Sequence, residues 1–331
     1  MPELKDRMKD LSQTPSPSIR SPRTVRWVMA QVLIALIPPT VAAVYFFGWS
    51  VLIMLAISIS TAVLSEYLYE KILDKPITIG DLSAVVTGTL MGLSLPSTAP
   101  WWSVVLGSAF AIIIVKQLAG GIGMNYFNPA VTSRVMLKVF FSPWITNWVL
   151  PGPDLISTST PLQFLGDGAK TVAEAVPSHL DLFLGRNLGG NIGETCKLAI
   201  LIGMIYLIVR RVIHPKIPLL FMLATVITTG FYSGFNFDFM MSHLLSGTLI
   251  FAAVFMATDY SSGALTPEGK TVFALGGGFL TAVLRIAFDL PGGVGIAIII
   301  MNALAPLIDQ KLMPRIYGHR KRPQVKFDRQ R

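Results

Sequence analysis

With one cysteine, Cys196, in 331 residues, the chain has no partner for a disulfide and lacks the several thiolates that an iron–sulfur cluster needs. Its four histidines, at 179, 214, 243 and 319, are dispersed without metal-ligand spacing. No Gly-x-Gly-x-x-Gly fingerprint is present. Gly166-Asp167-Gly168-Ala169-Lys170-Thr171 lacks the Gly-Lys-Ser/Thr junction and the preceding strand of a phosphate loop. Nucleotide and cluster chemistry would fall to other chains. Charge is scarce too: 14% of residues are charged, against about a quarter in soluble domains, which excludes an ordinary soluble fold.

What the chain has is apolar length. Hydrophobic residues make up 52% of it, and a spanning helix needs about 20 of them in a row. Such runs lie near 25 to 47, 51 to 70, 101 to 119, 193 to 209, 217 to 231, 244 to 258, 270 to 288 and 293 to 312, with weaker ones at 81 to 95 and 128 to 142. Together they predict an all-α, polytopic membrane protein of ten helices. The first 20 or so residues are polar and basic, with Pro15 and Pro17, and lack the apolar core of a cleavable signal peptide.

The net charge of +9 resolves by position. With ten crossings and a cytoplasmic N-terminus, Lys71, Lys75, Lys116, Arg210, Arg211, Lys216, Lys270 and the basic tail share one side. Only Lys170 and Arg186 stay clear of a helix on the other. That asymmetry is the positive-inside pattern, so the basic balance reads as topology and not as nucleic-acid binding. It divides the chain into a cytoplasmic segment 1–24, a membrane repeat 25–142, an outer loop 143–192, a second repeat 193–312 and a basic cytoplasmic tail 313–331.

The two membrane stretches echo each other. Leu106-Gly107-Ser108-Ala109-Phe110 precedes Lys116 with the spacing by which Leu275-Gly276-Gly277-Gly278-Phe279 precedes Arg285. Gly120-Gly121-Ile122-Gly123 matches Gly292-Gly293-Val294-Gly295, and each introduces an Asn/Pro segment, at Asn128-Pro129 and at Asn302 to Pro306. Upstream, Thr87-Gly88-Thr89-Leu90 echoes Ser246-Gly247-Thr248-Leu249. Five crossings per half place the halves in opposite orientation, the plan of many transporters with broken helices near the bilayer middle.

The outer loop opens on Phe140, Phe141, Trp144 and Trp148, which suit an interfacial belt or a wall around a planar ligand. It carries the hydroxyl-rich stretch Asp154-Leu155-Ile156-Ser157-Thr158-Ser159-Thr160-Pro161-Leu162. A polar loop this long in an apolar protein points to function. The stretch resembles the flavin-attachment motif of a membrane-protein family that includes the D subunit of Rnf electron transport complexes and the B subunit of the sodium-translocating NADH:quinone reductase. Phe255-Met256-Ala257-Thr258-Asp259 through Thr266-Pro267-Glu268-Gly269-Lys270 is similar to a cytoplasmic loop of the same family, and Asn302 to Gly318 to its close.

The resemblance implies one subunit of a redox-driven, ion-translocating ferredoxin:NAD oxidoreductase of the bacterial inner membrane. Thr160 would carry FMN through a phosphoester, with Asp154, Ser157 and Ser159 completing the motif. A non-covalent riboflavin is implied toward the cytoplasmic half, where Asn128 and the Gly120 to Gly123 turn are candidate contacts. Implied partners are the other complex subunits, among them a second flavin-bearing subunit and iron–sulfur subunits.

Arg134, Lys138 and Arg285 fall in or near helices, where charge has a partner or a use. They suit flavin phosphate or a flavin anion, and equally snorkelling to the interface or a lipid phosphate. The carboxylates Glu66, Asp81, Glu194, Asp259, Asp289 and Asp309 are expected at helix ends, leaving no ion relay through the middle. A passive channel for a small neutral solute on the same scaffold is the alternative, and the Thr160 loop separates the two.

Overall fold

The computed structural model describes residues 23–150, 157–158, 160–163, 165, 177–186 and 188–314. Most of these residues are helical. Among the described residues the strand content is one two-stranded antiparallel pair, Trp148–Val149 with Ser157–Thr158, and an isolated bridge between Pro96 and Asn191. The principal helices are α1 (Val25–Phe47), α2 (Ser50–Ile72), α3 (Ser83–Leu93), α4 (Trp101–Phe110, continuing as a π-helix over Ala111–Gln117), α5 (Pro129–Phe140) and α6 (Lys197–Val209). They are followed by α7 (Lys216–Ser233), α8 (Phe237–Leu245), α9 (Leu249–Phe255), α10 (Pro267–Ile286) and α11 (Gly293–Lys311).

Five of them, α1, α2, α7, α10 and α11, are long and apolar enough to cross a membrane, and α8 with α9 make a sixth if counted as one bent span. This is a multi-pass membrane protein. Helices are the form in which such a chain satisfies every backbone polar group without water.

Short helices start and stop where side chains replace missing backbone partners. Asn128 caps α5, its Oδ1 accepting from the amides of Ala130 and Val131 at 3.1 and 3.2 Å, with Pro129 in the first turn. Thr266 caps α10 by accepting from the Gly269 amide at 3.0 Å, ahead of Pro267. The expected run 244 to 258 is not one helix: α8 and α9 meet at a bend of 54° across Ser246–Thr248. Gly247 there has φ +66°, a left-handed conformation that an L side chain rarely adopts. Its sequence echo, Thr87 to Leu90, lies wholly inside α3, so the two echoes fold differently.

Packing follows small residues. A side chain at Gly203 of α6 would strike the backbone carbonyl of Ala35 on α1, and one at Gly278 of α10 that of Phe221 on α7. These glycines let the helix pairs approach closely, where helices gain most in lipid. The core between them is built from Phe221, Phe251, Phe273, Leu36 and Met91, all fully buried.

Candidate functional site

The short strand pair carries the chain from the end of α5 back to Thr160. There Pro161–Gln163 forms one 3-10 turn, closed by the Gln163 amide donating to the Thr160 carbonyl at 2.9 Å. The Thr160 amide in turn donates to Gln163 Oε1 at 3.2 Å. These bonds fix the residue with its side chain inward. Thr160 is 6% exposed, and its Oγ1 has no hydrogen-bond partner among the described residues. A buried hydroxyl without a partner is uncommon and needs an explanation.

That hydroxyl belongs to the lining of a cavity of about 520 Å³, its open mouth included. Arg134 and Lys138 of α5, Trp148, Asn191 and Glu194 share the lining. Glu194 is fixed by a capping box: Asn191 donates to it from its amide at 3.1 Å and from Nδ2 at 2.9 Å. Trp148 Nε1 reaches Asn191 Oδ1 at 3.4 Å.

Next to the cavity lies the break between α8 and α9. Leu162 packs onto Gly247, close enough that a Cβ there would collide with it. Arg285 of α10 spans the break from below, donating from Nη1 to the His243 carbonyl at 2.6 Å and from Nη2 to the Ser246 carbonyl at 3.3 Å. A cation on the free carbonyls of a helix C-terminus is favourable by charge and by hydrogen bonding. Lys197 does the same work on the Glu194 carbonyl.

Toward the opposite end, the end of Lys71, Lys75 and Arg210, a second cavity encloses about 770 Å³ with its mouth. Asn125, Asn128, Lys116, Asp259 and Tyr260 line it among apolar side chains of α1, α3 and α9. Asn128 Nδ2 donates to the Met256 carbonyl at 3.1 Å. With the Asn302 amide in its hydrogen-bonding orientation, that side chain accepts from the Asn128 amide and donates to the Ser262 carbonyl, each at 3.1 Å. The two Asn/Pro segments of the sequence echo therefore meet.

Glu66 departs from expectation. It sits inside α2 rather than at a helix end, fully buried, and Lys116 Nζ binds it at 2.6 Å. Lys116 also reaches Ser83 Oγ at 2.5 Å, and Gln117 links Glu66 to Glu70 at 2.8 and 3.2 Å. A polar network therefore does enter the helical layer. The signal available for it was a glutamate within an apolar run of α2.

Of the motif residues, Ser157 contributes its backbone to the strand pair, while Asp154 and Ser159 lie outside the described residues. The aromatics divide. Phe140 and Trp144 face outward at 72% and 58% exposure, as a belt would, whereas Trp148 turns into the Thr160 cavity. The sequence did not single out Lys197, and His243 stood there only as one of four dispersed histidines; both are buried beside the break. Each polar residue in an apolar run was a signal.

A model of the NQR2, RnfD, RnfE family matches residues 12–318. The chain belongs to that family. It is 40% identical over 93% of its length to the D subunit of the Na(+)-translocating ferredoxin:NAD(+) oxidoreductase complex of Acetobacterium woodii, covering 96% of that protein. It is 37% identical to the D subunit of the proton-translocating ferredoxin:NAD(+) oxidoreductase complex of Clostridium ljungdahlii, over 92% of this chain and 96% of the relative. The D subunit of the ion-translocating oxidoreductase complex of Yersinia enterocolitica is 35% identical, over 92% and 98%. The expectation of a chain similar to the D subunit of Rnf complexes is borne out.

Proposed function

We propose that this chain is the membrane subunit of an Rnf-type ion-translocating ferredoxin:NAD oxidoreductase complex and carries FMN as a phosphoester on Thr160. The observation that carries the reading is the buried, partnerless Thr160 Oγ1 at a cavity with two cationic side chains. A hydroxyl in that setting suits an acceptor oxygen better than a structural one. A flavin supplies one- and two-electron transfer that no side chain offers. The residues present fit such a group. The 3-10 turn at Pro161 holds the acceptor still, Trp148 provides an aromatic wall, and Arg134 and Lys138 provide positive charge.

In this reading the cavity around Asn128 takes a second, non-covalent flavin without phosphate. The cationic residue of its lining, Lys116, is already paired with Glu66, which suits a neutral ligand. Asn125 and Asn128 line it with their amides already bonded to the backbone, each Nδ2 keeping one N–H beyond its bond to a carbonyl. The proposed coupling is to a cation, the class common to the sodium and proton of the relatives' names.

Ten crossings in two inverted halves complete the reading, with both termini on the cytoplasmic side of a bacterial inner membrane. Matching adjacency supports it: α2 packs on α3 and α4, and α4 on α5; α7 packs on α8, α9 and α10, and α10 on α11. Between the halves α1 packs on α6 and α5 on α11. The proposed partners are the remaining complex subunits, including a second flavin-bearing subunit and iron–sulfur subunits.

The test is mass spectrometry of the peptide containing Thr160, from a chain produced together with a flavin transferase. The expected adduct is FMN less one water. Its absence would defeat the assignment of Thr160.

A further inference from the structure

The Thr160 cavity has a charge pattern that its own side chains leave incomplete. Arg134 and Lys138 stand one helical turn apart on α5 and both line it. Neither donates a hydrogen bond to another described residue. The third charged residue of the lining, Glu194, is bound through both carboxylate oxygens by Asn191. Lys197 and Arg285, close behind, spend their protons on the carbonyls of Glu194, His243 and Ser246. Hydrogen bonds to neutral carbonyls leave Lys197 and Arg285 charged, so four cations at or behind the lining face one carboxylate, and the surplus is positive in a setting where unpaired charge is disfavoured.

We propose that Arg134 and Lys138 are positioning residues for a phosphodiester monoanion seated against Thr160 Oγ1. This rests on the reading of Thr160 as the flavin-bearing residue and adds what holds the phosphate. The guanidinium offers paired N–H donors in a fixed plane, and the ammonium a compact charge that adapts to the remaining oxygen. The surplus of positive charge favours an anion there, and FMN esterified to Thr160 is a phosphodiester with one negative charge. The contacts are non-covalent; they hold the group and take no part in making its bond. A phospholipid headgroup presents the same diester chemistry, so the experiment must separate the two sources.

Phosphorus NMR on the full chain, produced with a flavin transferase and purified in detergent, separates them. The expected wild-type signal is a diester resonance that stays with the protein through organic extraction. Arg134→Met and Lys138→Met keep the apolar reach and remove the charge. Each should move that resonance, because a charged donor to the phosphate is lost. Lys138→Arg should keep a protein-bound diester resonance, and Lys71→Met, at the far end, should leave it unchanged. Should a Met variant fail to insert, Arg134→Lys keeps the charge and should still move the resonance, because the paired donors are gone.

A wild-type chain with no covalent adduct would defeat the flavin reading itself. An adduct present, with the resonance unchanged in all the Arg134 and Lys138 variants, would overturn the positioning role alone. A resonance that left with the lipid extract would overturn it as well.

Discussion

Lys116 Nζ lies 2.6 Å from Glu66 Oε1 with both side chains shut away from solvent, and Glu66 Oε2 has no partner among the described residues. Burying the pair has already cost each group its hydration, so the two singles and the double differ. Lys116→Met should destabilise by about 3 to 5 kcal/mol, because it strands the carboxylate. Lys116→Met with Glu66→Leu should recover most of that loss. Thermal midpoints in detergent check it, and equal losses in the single and the double would contradict the pairing argument.

The helix crossings at Gly203 and Gly278 predict a position-dependent response to one methyl group. Gly203→Ala and Gly278→Ala push against the carbonyls of Ala35 and Phe221 and should each cost about 1 to 3 kcal/mol. Gly80→Ala meets nothing within 4 Å and should be neutral. Yield of monodisperse protein and its melting temperature distinguish the three.

Asp309 near the end of α11 ties down the segment before α10. It accepts from the Leu265 and Thr266 amides at 2.8 and 2.9 Å and from Thr266 Oγ1 at 2.7 Å. Asp309→Ala leaves two amides and the N-cap hydroxyl without that acceptor, and should cost about 1 to 3 kcal/mol. Limited proteolysis should then cut between 258 and 267 at protease levels that spare the wild type; Asp309→Asn should show a smaller effect.

Thr160→Ala should abolish covalent flavin while leaving the chain inserted. Thr158→Ala should keep the flavin, because Thr158 sits in the strand opposite Trp148 while Thr160 lines the cavity. In-gel fluorescence of the denatured chain reads both variants. Fluorescence lost with Thr158→Ala and kept with Thr160→Ala would shift the acceptor by two residues.

Reporter fusions at 75, 98, 165, 213, 236, 264 and 320 should read in, out, out, in, out, in, in. An inner reading at 165 would put the Thr160 loop on the wrong face and remove the proposed topology.

Where the sequence was legible, the cause was local. Asn128-Pro129 and Thr266-Pro267 announce helix starts because a capping side chain and a fixed φ act within four residues. The apolar runs mark helices for the same reason. Hidden features depend on distant partners. Glu66 reads as a helix-end carboxylate until Lys116, from another helix, is seen to neutralise it. The break after Leu245 falls inside an apolar stretch, and the carbonyls it frees are taken up by Arg285, 39 residues on from Ser246. The Thr160 stretch could be read for its hydroxyls but not for its surroundings: Arg134 and Lys138 reach its cavity through the fold, not through proximity in the chain.

The seating of Leu162 on Gly247 has a consequence for the order of events in making this protein. The turn that carries Thr160 is stapled to the break between α8 and α9, and its hydroxyl points inward. An enzyme working from outside cannot reach an oxygen so placed without lifting Leu162 off the break. On the proposed reading, esterification of Thr160 would belong to biogenesis, on a chain whose loop has not yet closed, and closure would then seal the product in. A mature chain that missed its modification would resist a late attempt, so loading added after folding should lag far behind loading during synthesis.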